Sequence, residues 1–190
     1  MKLKNIYIFL LLTMITLISL ACKISLGGDE PPTNAIPVSD DAAITAQDIY
    51  DSATFTDTQN QLVAFTLTEA QVTSLVAQKL AQNSDNKVSN PQIYLQDGKI
   101  DAYATYDAEY FNVNVHFTLS VVVNADNELE VSIDNADLGP IPASDAILDS
   151  MSNMIDESIA SALLPAATGF RVESIYIADG MATISGIVTR

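Results

Sequence analysis

The chain has 190 residues, with 24 Asp plus Glu against 8 Lys plus Arg and a formal net charge of −16. That length suits one domain. The acid excess speaks against nucleic acid, which needs a basic footprint, and a hydrophobic content of 48% speaks against disorder. A single Cys excludes a disulfide framework or a multi-cysteine metal site, and a single His with no Trp leaves little for histidine-based catalysis.

Residues 1–21 read as a secretory signal. Lys2 and Lys4 form a short basic start, Ile6 to Ile18 is almost wholly apolar, and Ser19-Leu20-Ala21 leads into Cys22. The pattern resembles a bacterial lipoprotein signal peptide, which implies cleavage ahead of Cys22 and thioether lipidation of its sulfur. The alternative is an uncleaved membrane anchor, for which the apolar stretch sits at about the lower length limit of a spanning helix. Removal of residues 1–21 leaves 169 residues with six basic against 24 acidic side chains, a net charge of −18. Anionic headgroups repel such a body, so a covalent anchor would have to hold it at a membrane.

Residues 22–41 form the lipidated Cys and a Pro- and Gly-containing tether with no apolar period. Residues 42–190 form the single folded domain. Ser39 or Asp40 caps a first helix running to about Ser52. Leu62 to Leu67 is a short strand, and Thr68 with Gln71 reads as a capping box for a helix ending near Asn83. Gln92 to Gln96 and Lys99 to Tyr106 flank Asp97-Gly98, a two-residue hairpin signal. From Tyr110 to Val123, apolar residues alternate with polar ones, which predicts a long strand with one buried and one wet face. Leu129, Val131 and Ile133 mark a second half-buried strand. Ser144 caps a helix of about nineteen residues that ends at Pro165. Phe170 to Ala178 and Met181 to Thr189 flank Asp179-Gly180 in a last hairpin, with a phase shift that predicts a bulge near Glu173. Ile93 to Gly98 is echoed at Ile175 to Gly180, through either an internal duplication or a shared turn requirement.

His116 falls among Asn and Thr on the polar side of the long strand and reads as a solvated surface residue. The acidic clusters around Asp126 and Asp134 lack the spacing and Gly of a calcium loop. No catalytic motif, metal site or cofactor site is expected. Met151 and Met154 are either core or a pliable ligand wall. The long strand would run about 46 Å, the later helix only about 28 Å and the earlier one about 20 Å, so one helix leaves much of the apolar stripe bare whereas two laid end to end could just cover it. An apolar groove left between them would suit a long, thin, greasy ligand.

Several segments together resemble a known group: Thr68-Glu69 opening a helix, Ile-x-Leu-x-Asp-Gly-x-Ile from Ile93 to Ile100, Leu138-Gly139-Pro140-Ile141-Pro142, Val-x-Ser-Ile-x-Ile-x-Asp-Gly from Val172 to Gly180, and Ile184-Ser185-Gly186. Over about residues 60–190 the chain resembles the LmeA-like and YpmS-type phospholipid-binding envelope proteins, relatives of tubular lipid-binding domains. The resemblance implies an α+β fold, a curved and mainly antiparallel sheet with long strands wrapped around one or two amphipathic helices. It also implies binding of phospholipid or another amphiphile in the envelope, without catalytic residues. The expected lipid-facing residues are Val113, Val115, Phe117, Leu119, Val121, Leu129, Val131 and Ile133 of the sheet, with Ile147, Met151, Met154 and Ile155 of the helix. The expected setting is extracytoplasmic, with Cys22 holding the protein to the bacterial cell membrane. The competing expectation is a non-enzymatic structural or interaction domain with a closed core, its acidic face meeting a basic envelope protein.

Overall fold

The computed structural model describes residues 27–54, 62–82, 87–108, 111–139, 145–164 and 170–188. Cys22 and the signal segment, Ser144 and Pro165 lie outside the described residues, and side chains of the last helix are described from Met151 onward. The fold is α+β. Three helices and seven strands are described, in the order α1 (Asp40–Thr54), β1 (Leu62–Thr68), α2 (Glu69–Gln82), β2 (Val88–Gln96), β3 (Lys99–Asp107), β4 (Asn112–Val123), β5 (Leu129–Asp137), α3 (Asp145–Leu163), β6 (Phe170–Ala178) and β7 (Met181–Val188). They form two antiparallel sheets, β1-β7-β6 and β2-β3-β4-β5.

Local chemistry sets most boundaries. Ser39 Oγ accepts the Ala42 N–H at 3.1 Å and caps α1. The Thr68 and Gln71 capping box forms reciprocally, with Thr68 N–H donating to Gln71 Oε1 at 2.9 Å and Gln71 N–H to Thr68 Oγ1 at 3.4 Å. Both Asp-Gly hairpins place two consecutive residues at positive φ, Asp97 (50°) with Gly98 (78°) and Asp179 (53°) with Gly180 (75°). Those are the conformations that match the twist of paired strands in a two-residue loop. The bulge expected near Glu173 is present as a register shift between Val172 and Ser174. A second bulge, between Thr118 and Leu119 opposite Asp134, carries β5 on to Asp137. A third irregularity, between Ser89 and Gln92, lets β2 begin at Val88, four residues before the expected start.

The two sheets are joined at their turns. Gly98 N–H donates to Ile177 O and Gly180 N–H to Leu95 O, each at 2.9 Å. At the other end of β6, Val172 N–H donates to Asn127 O at 3.1 Å. Strand β6 is therefore held to the β2–β3 turn at one end and the β4–β5 turn at the other, so it crosses the turn end of the larger sheet.

Helix α2 seals the free edge of β2. Glu69 Oε1 accepts the Leu95 N–H at 2.8 Å, and Thr73 Oγ1 accepts the Ile93 N–H at 3.1 Å. Four helical residues advance about 6 Å and two strand residues about 6.6 Å, so an i, i+4 pair on the helix matches an i, i+2 pair of N–H groups on the strand. Glu69 also donates its own N–H to Gly180 O at 3.1 Å, bringing helix and both hairpins to one point. Residues of all three helices and both sheets share one buried cluster, including Leu67, Val72, Leu95, Ile100, Val113, Leu119, Leu163 and Ile184.

Glu69→Ala is expected to leave the Leu95 N–H without an acceptor and to lower stability by about 1–3 kcal/mol, with Glu69→Gln costing less because its amide oxygen still accepts. Urea unfolding checks the ranking; equal midpoints for the two variants would contradict it.

Candidate functional site

Helix α2 packs over β2 and α3 over β5, and the two helices touch above the middle of the larger sheet. At their seam lies an apolar cleft. Val76 and Leu80 of α2 and Met151, Met154, Ile155 and Ile159 of α3 form its roof. Ile93, Ala102, Ala104, Val115 and Phe117 form its floor. The cleft exists because β3 offers only methyl groups there. Ala102 pairs with Phe117 and Ala104 with Val115, and neither alanine reaches the roof. The cavity volume is about 60 Å³, against roughly 300–1,000 Å³ for clefts that bury a small-molecule ligand.

Of the residues expected to face lipid, Val115, Phe117, Met151, Met154 and Ile155 line this cleft. Val113, Leu119, Val121, Leu129 and Val131 do not; they are buried in the common core. Ile133 is half-buried and packs against that core. Ile147 lies on α3, in the part whose side chains are outside the described residues. Among the described residues, the apolar stripe is open at a short cleft. Besides the helices, β6, crossing the turn end, covers part of the β4 stripe. Ala102, Ala104 and the α2 residues went unrecognised in the sequence. Two alanines spaced by one residue on a strand are the signal that marks them.

Helix α3 is fastened at its C-terminal end, where the buried Tyr50 hydroxyl of α1 donates to Ala162 O in the last turn. This satisfies a carbonyl that the helix itself cannot, and burial pushes the Tyr50 phenol pKa far up. Farther along, Asp156 meets Glu130 of β5. Burial first, and the Glu130 charge second, hold the Asp156 carboxyl above its usual range.

The opposite face of the larger sheet carries polar chemistry. Tyr94, Tyr103 and His116 form a row across β2, β3 and β4, with Tyr94 edge-on to Tyr103 at 5.8 Å and the His116 ring stacked on Tyr103 at 4.1 Å and 2°. His116 is not solvated as its polar neighbours suggested; its side chain is only 10% exposed. Its cover is residues 27–36, part of the expected tether. There Gln92 Oε1 accepts the Ile36 N–H at 2.6 Å, the Tyr94 hydroxyl donates to Asn34 O at 3.1 Å, and Ile36 is buried. Burial, then the Asp101 and Asp29 charges, raise the Tyr103 phenol. Beyond this row, Asp134 at the β5 bulge accepts from Ser120 Oγ at 2.5 Å and Lys99 Nζ at 2.9 Å. These two bonds hold its carboxyl below the usual range.

Among the described residues, no group of three or more His, Cys, Asp or Glu side chains could hold a metal ion. Among the described residues, no helix is long and apolar enough to cross a membrane. No protein-family model, curated protein or solved structure matches the chain.

Because Asp134 is held low in the folded state, its ionised form favours folding. That contribution is present above the ordinary carboxylate range and disappears as pH falls through the lowered value. Ser120→Ala is expected to return the Asp134 carboxyl toward the usual range and to move the acid-unfolding edge upward. Carboxyl-carbon NMR titration reads it; an unmoved Asp134 titration would remove Ser120 as the cause.

Proposed function

We propose that the protein is a tethered binder of phospholipid or another amphiphile on the outer side of a bacterial membrane. Cys22 would supply the anchor, and the seam between α2 and α3 the entry for acyl chains. The observation that carries this reading is the cleft itself: a gap in an otherwise closed core, walled by Met151, Met154 and Ile155 and floored by two alanines. A thioether side chain adapts to irregular apolar shapes. The likeness of the motifs to LmeA-like and YpmS-type proteins, with their curved, tubular lipid-binding-like sheet, supports the same reading.

At about 60 Å³ the cleft accepts only a few methylenes as it stands. Binding therefore requires α3 to lift. Tyr50 holds its C-terminal end at Ala162, so the helix would swing from there and open the seam at Met151 and Met154. Partial desolvation of the Asp156 carboxylate in the docked helix, with the Glu130 charge second, favours this motion. Since the Asp156 carboxyl is raised, its ionisation penalises the docked helix above that raised value, and the penalty vanishes as pH falls and the proton is taken up. Ligand uptake would slow in acid.

The second reading is a non-enzymatic structural or interaction domain with a closed core. It rests on the complete burial of Val113 and Leu119 and on the carboxylates of the outer face, which would meet a basic envelope protein. A salt-sensitive protein partner recovered from solubilised envelope is its distinguishing result.

Native mass spectrometry of protein released without its anchor is expected to show bound, exchangeable lipid. Met154→Glu, which sets a carboxylate in the half-exposed cleft wall, is expected to weaken binding at least tenfold, because an unpaired charge under an acyl chain costs several kcal/mol. Asp156→Asn is expected to slow uptake of a fluorescent fatty acid. Absence of lipid across several lipid classes would sink the proposal.

A further inference from the structure

We propose that His116 is a pH-operated clasp that fastens residues 27–36 to the outer face of the four-stranded sheet. The ring lies between two carboxylates from different parts of the chain. Its Nε2 is 3.1 Å from Asp101 Oδ1 of β3, and its Nδ1 is 3.5 Å from Asp29 Oδ2 of the strap. Nδ1 is fully buried and has no hydrogen-bond partner among the described residues.

A neutral imidazole carries one proton and therefore serves one side only. With the proton on Nε2 it donates to Asp101, and the Nδ1 lone pair faces the Asp29 carboxylate. With the proton on Nδ1 the conflict moves to Asp101. Only the imidazolium gives both carboxylates a donor, and both contacts are then charge-assisted.

The surroundings hold further negative charge. Thr118 Oγ1 donates to Asp101 Oδ1 at 3.0 Å, on the oxygen that also faces Nε2. On β5, Asp137 sits opposite His116 in register. Its carboxylate is engaged by backbone, accepting the Asp29 N–H at 3.2 Å and the Gly139 N–H at 2.8 Å. From β3 the Tyr103 phenol stacks on the ring, and β2 contributes the Tyr94 phenol beyond it. The nearby Lys99 is bound to Asp134. Two carboxylates, Asp29 and Asp101, thus face one ionisable ring, with Asp137 on the neighbouring strand.

The strap is seated closely enough to feel this. A Cβ on Gly28, which has φ +52°, would lie 1.9 Å from Asn114 O, so this approach needs glycine. The Gln92 and Tyr94 bonds hold the Ile36 end without involving the ring, whereas the Asp29 end depends on it. Docking therefore tightens when the ring carries its second proton, because only then do both carboxylates have a donor. One consequence rests on the proposed Cys22 anchor. A docked strap leaves about 17 Å of chain between anchor and domain, and one freed as far as Asn34 about 40 Å.

Hydrogen exchange of the full-length chain in detergent micelles tests the clasp without reference to lipid or anchor. Protection factors divide out the intrinsic pH dependence of exchange. The Asp29 amide is expected to gain about tenfold protection between about pH 8 and about pH 5.5, relative to the core amide of Leu119. His116→Gln, which keeps a donor for Asp101 but takes up no proton, should abolish the gain. Asp29→Asn should do the same from a side chain that is 72% exposed and so leaves the fold intact. A pH-independent Asp29 amide in the unaltered chain, or an undiminished gain in either variant, would overturn the proposal.

Discussion

Two hairpin turns that bond to one another organise this protein. The amide of Gly98 reaches Ile177 O, and that of Gly180 reaches Leu95 O. The two bonds are related by the same offset of 82 residues that relates the repeated motif in the sequence. Asp-Gly turns allow this because both central residues take positive φ, which leaves the glycine N–H on the outside of the turn, free for a partner. Glu69 completes the junction. Its backbone bonds one turn and its carboxylate bonds the strand leading to the other. From that point α2 runs along β2, and β6 runs across the end of the larger sheet, so one cluster of polar contacts fixes the placing of both sheets and a helix. An unpaired buried amide costs more than a hydrogen bond gains, which is why the junction constrains geometry as well as adding stability.

The cleft follows from the same placing. Once β6 covers the turn end and α2 covers the β2 edge, the remaining cover comes from α3, fastened at Ala162 and opposed at Asp156. Beneath it the floor is shallow at Ala102 and Ala104. A packed interior tolerates few voids, so a gap lined mainly by apolar side chains is the part of the core best suited to open. Local openings draw on elements with few fixing contacts. The closed and open readings of the function thus differ in the position of one helix.

On the other face, the strap turns a polar sheet surface into a half-buried electrostatic site. Carboxylates of Asp29 and Asp101, from separate segments, meet one imidazole, with Tyr103 stacked against it. In a chain with 24 acidic and 8 basic residues, negative charge is gathered here against a buried ring. The strap also lies on the chain between Cys22 and the domain, so its docking governs how far the domain stands from any anchor.

Much of the fold was legible because its signals are local. Thr68 and Gln71 cap a helix by reaching three residues. Asp97-Gly98 and Asp179-Gly180 turn by their own dihedral preferences, and the Glu173 bulge showed as a broken alternation. The bulge at Asp134 was not legible, since the same break in alternation also reads as the end of a strand. The early start of β2 was hidden behind Pro91 and the positive φ of Asn90 (52°). Period two placed His116 correctly on the face opposite Val115 and Phe117. It could not show that residues 27–36 return to cover that face, because a segment without period carries no local sign of where it docks. The sequence by itself determined the elements, their turns and the apolar stripe of β4, all set by interactions between near neighbours in the chain. Only the tertiary structure decided which part of that stripe stays uncovered and which polar side chain is buried, because both depend on contacts between segments far apart in sequence.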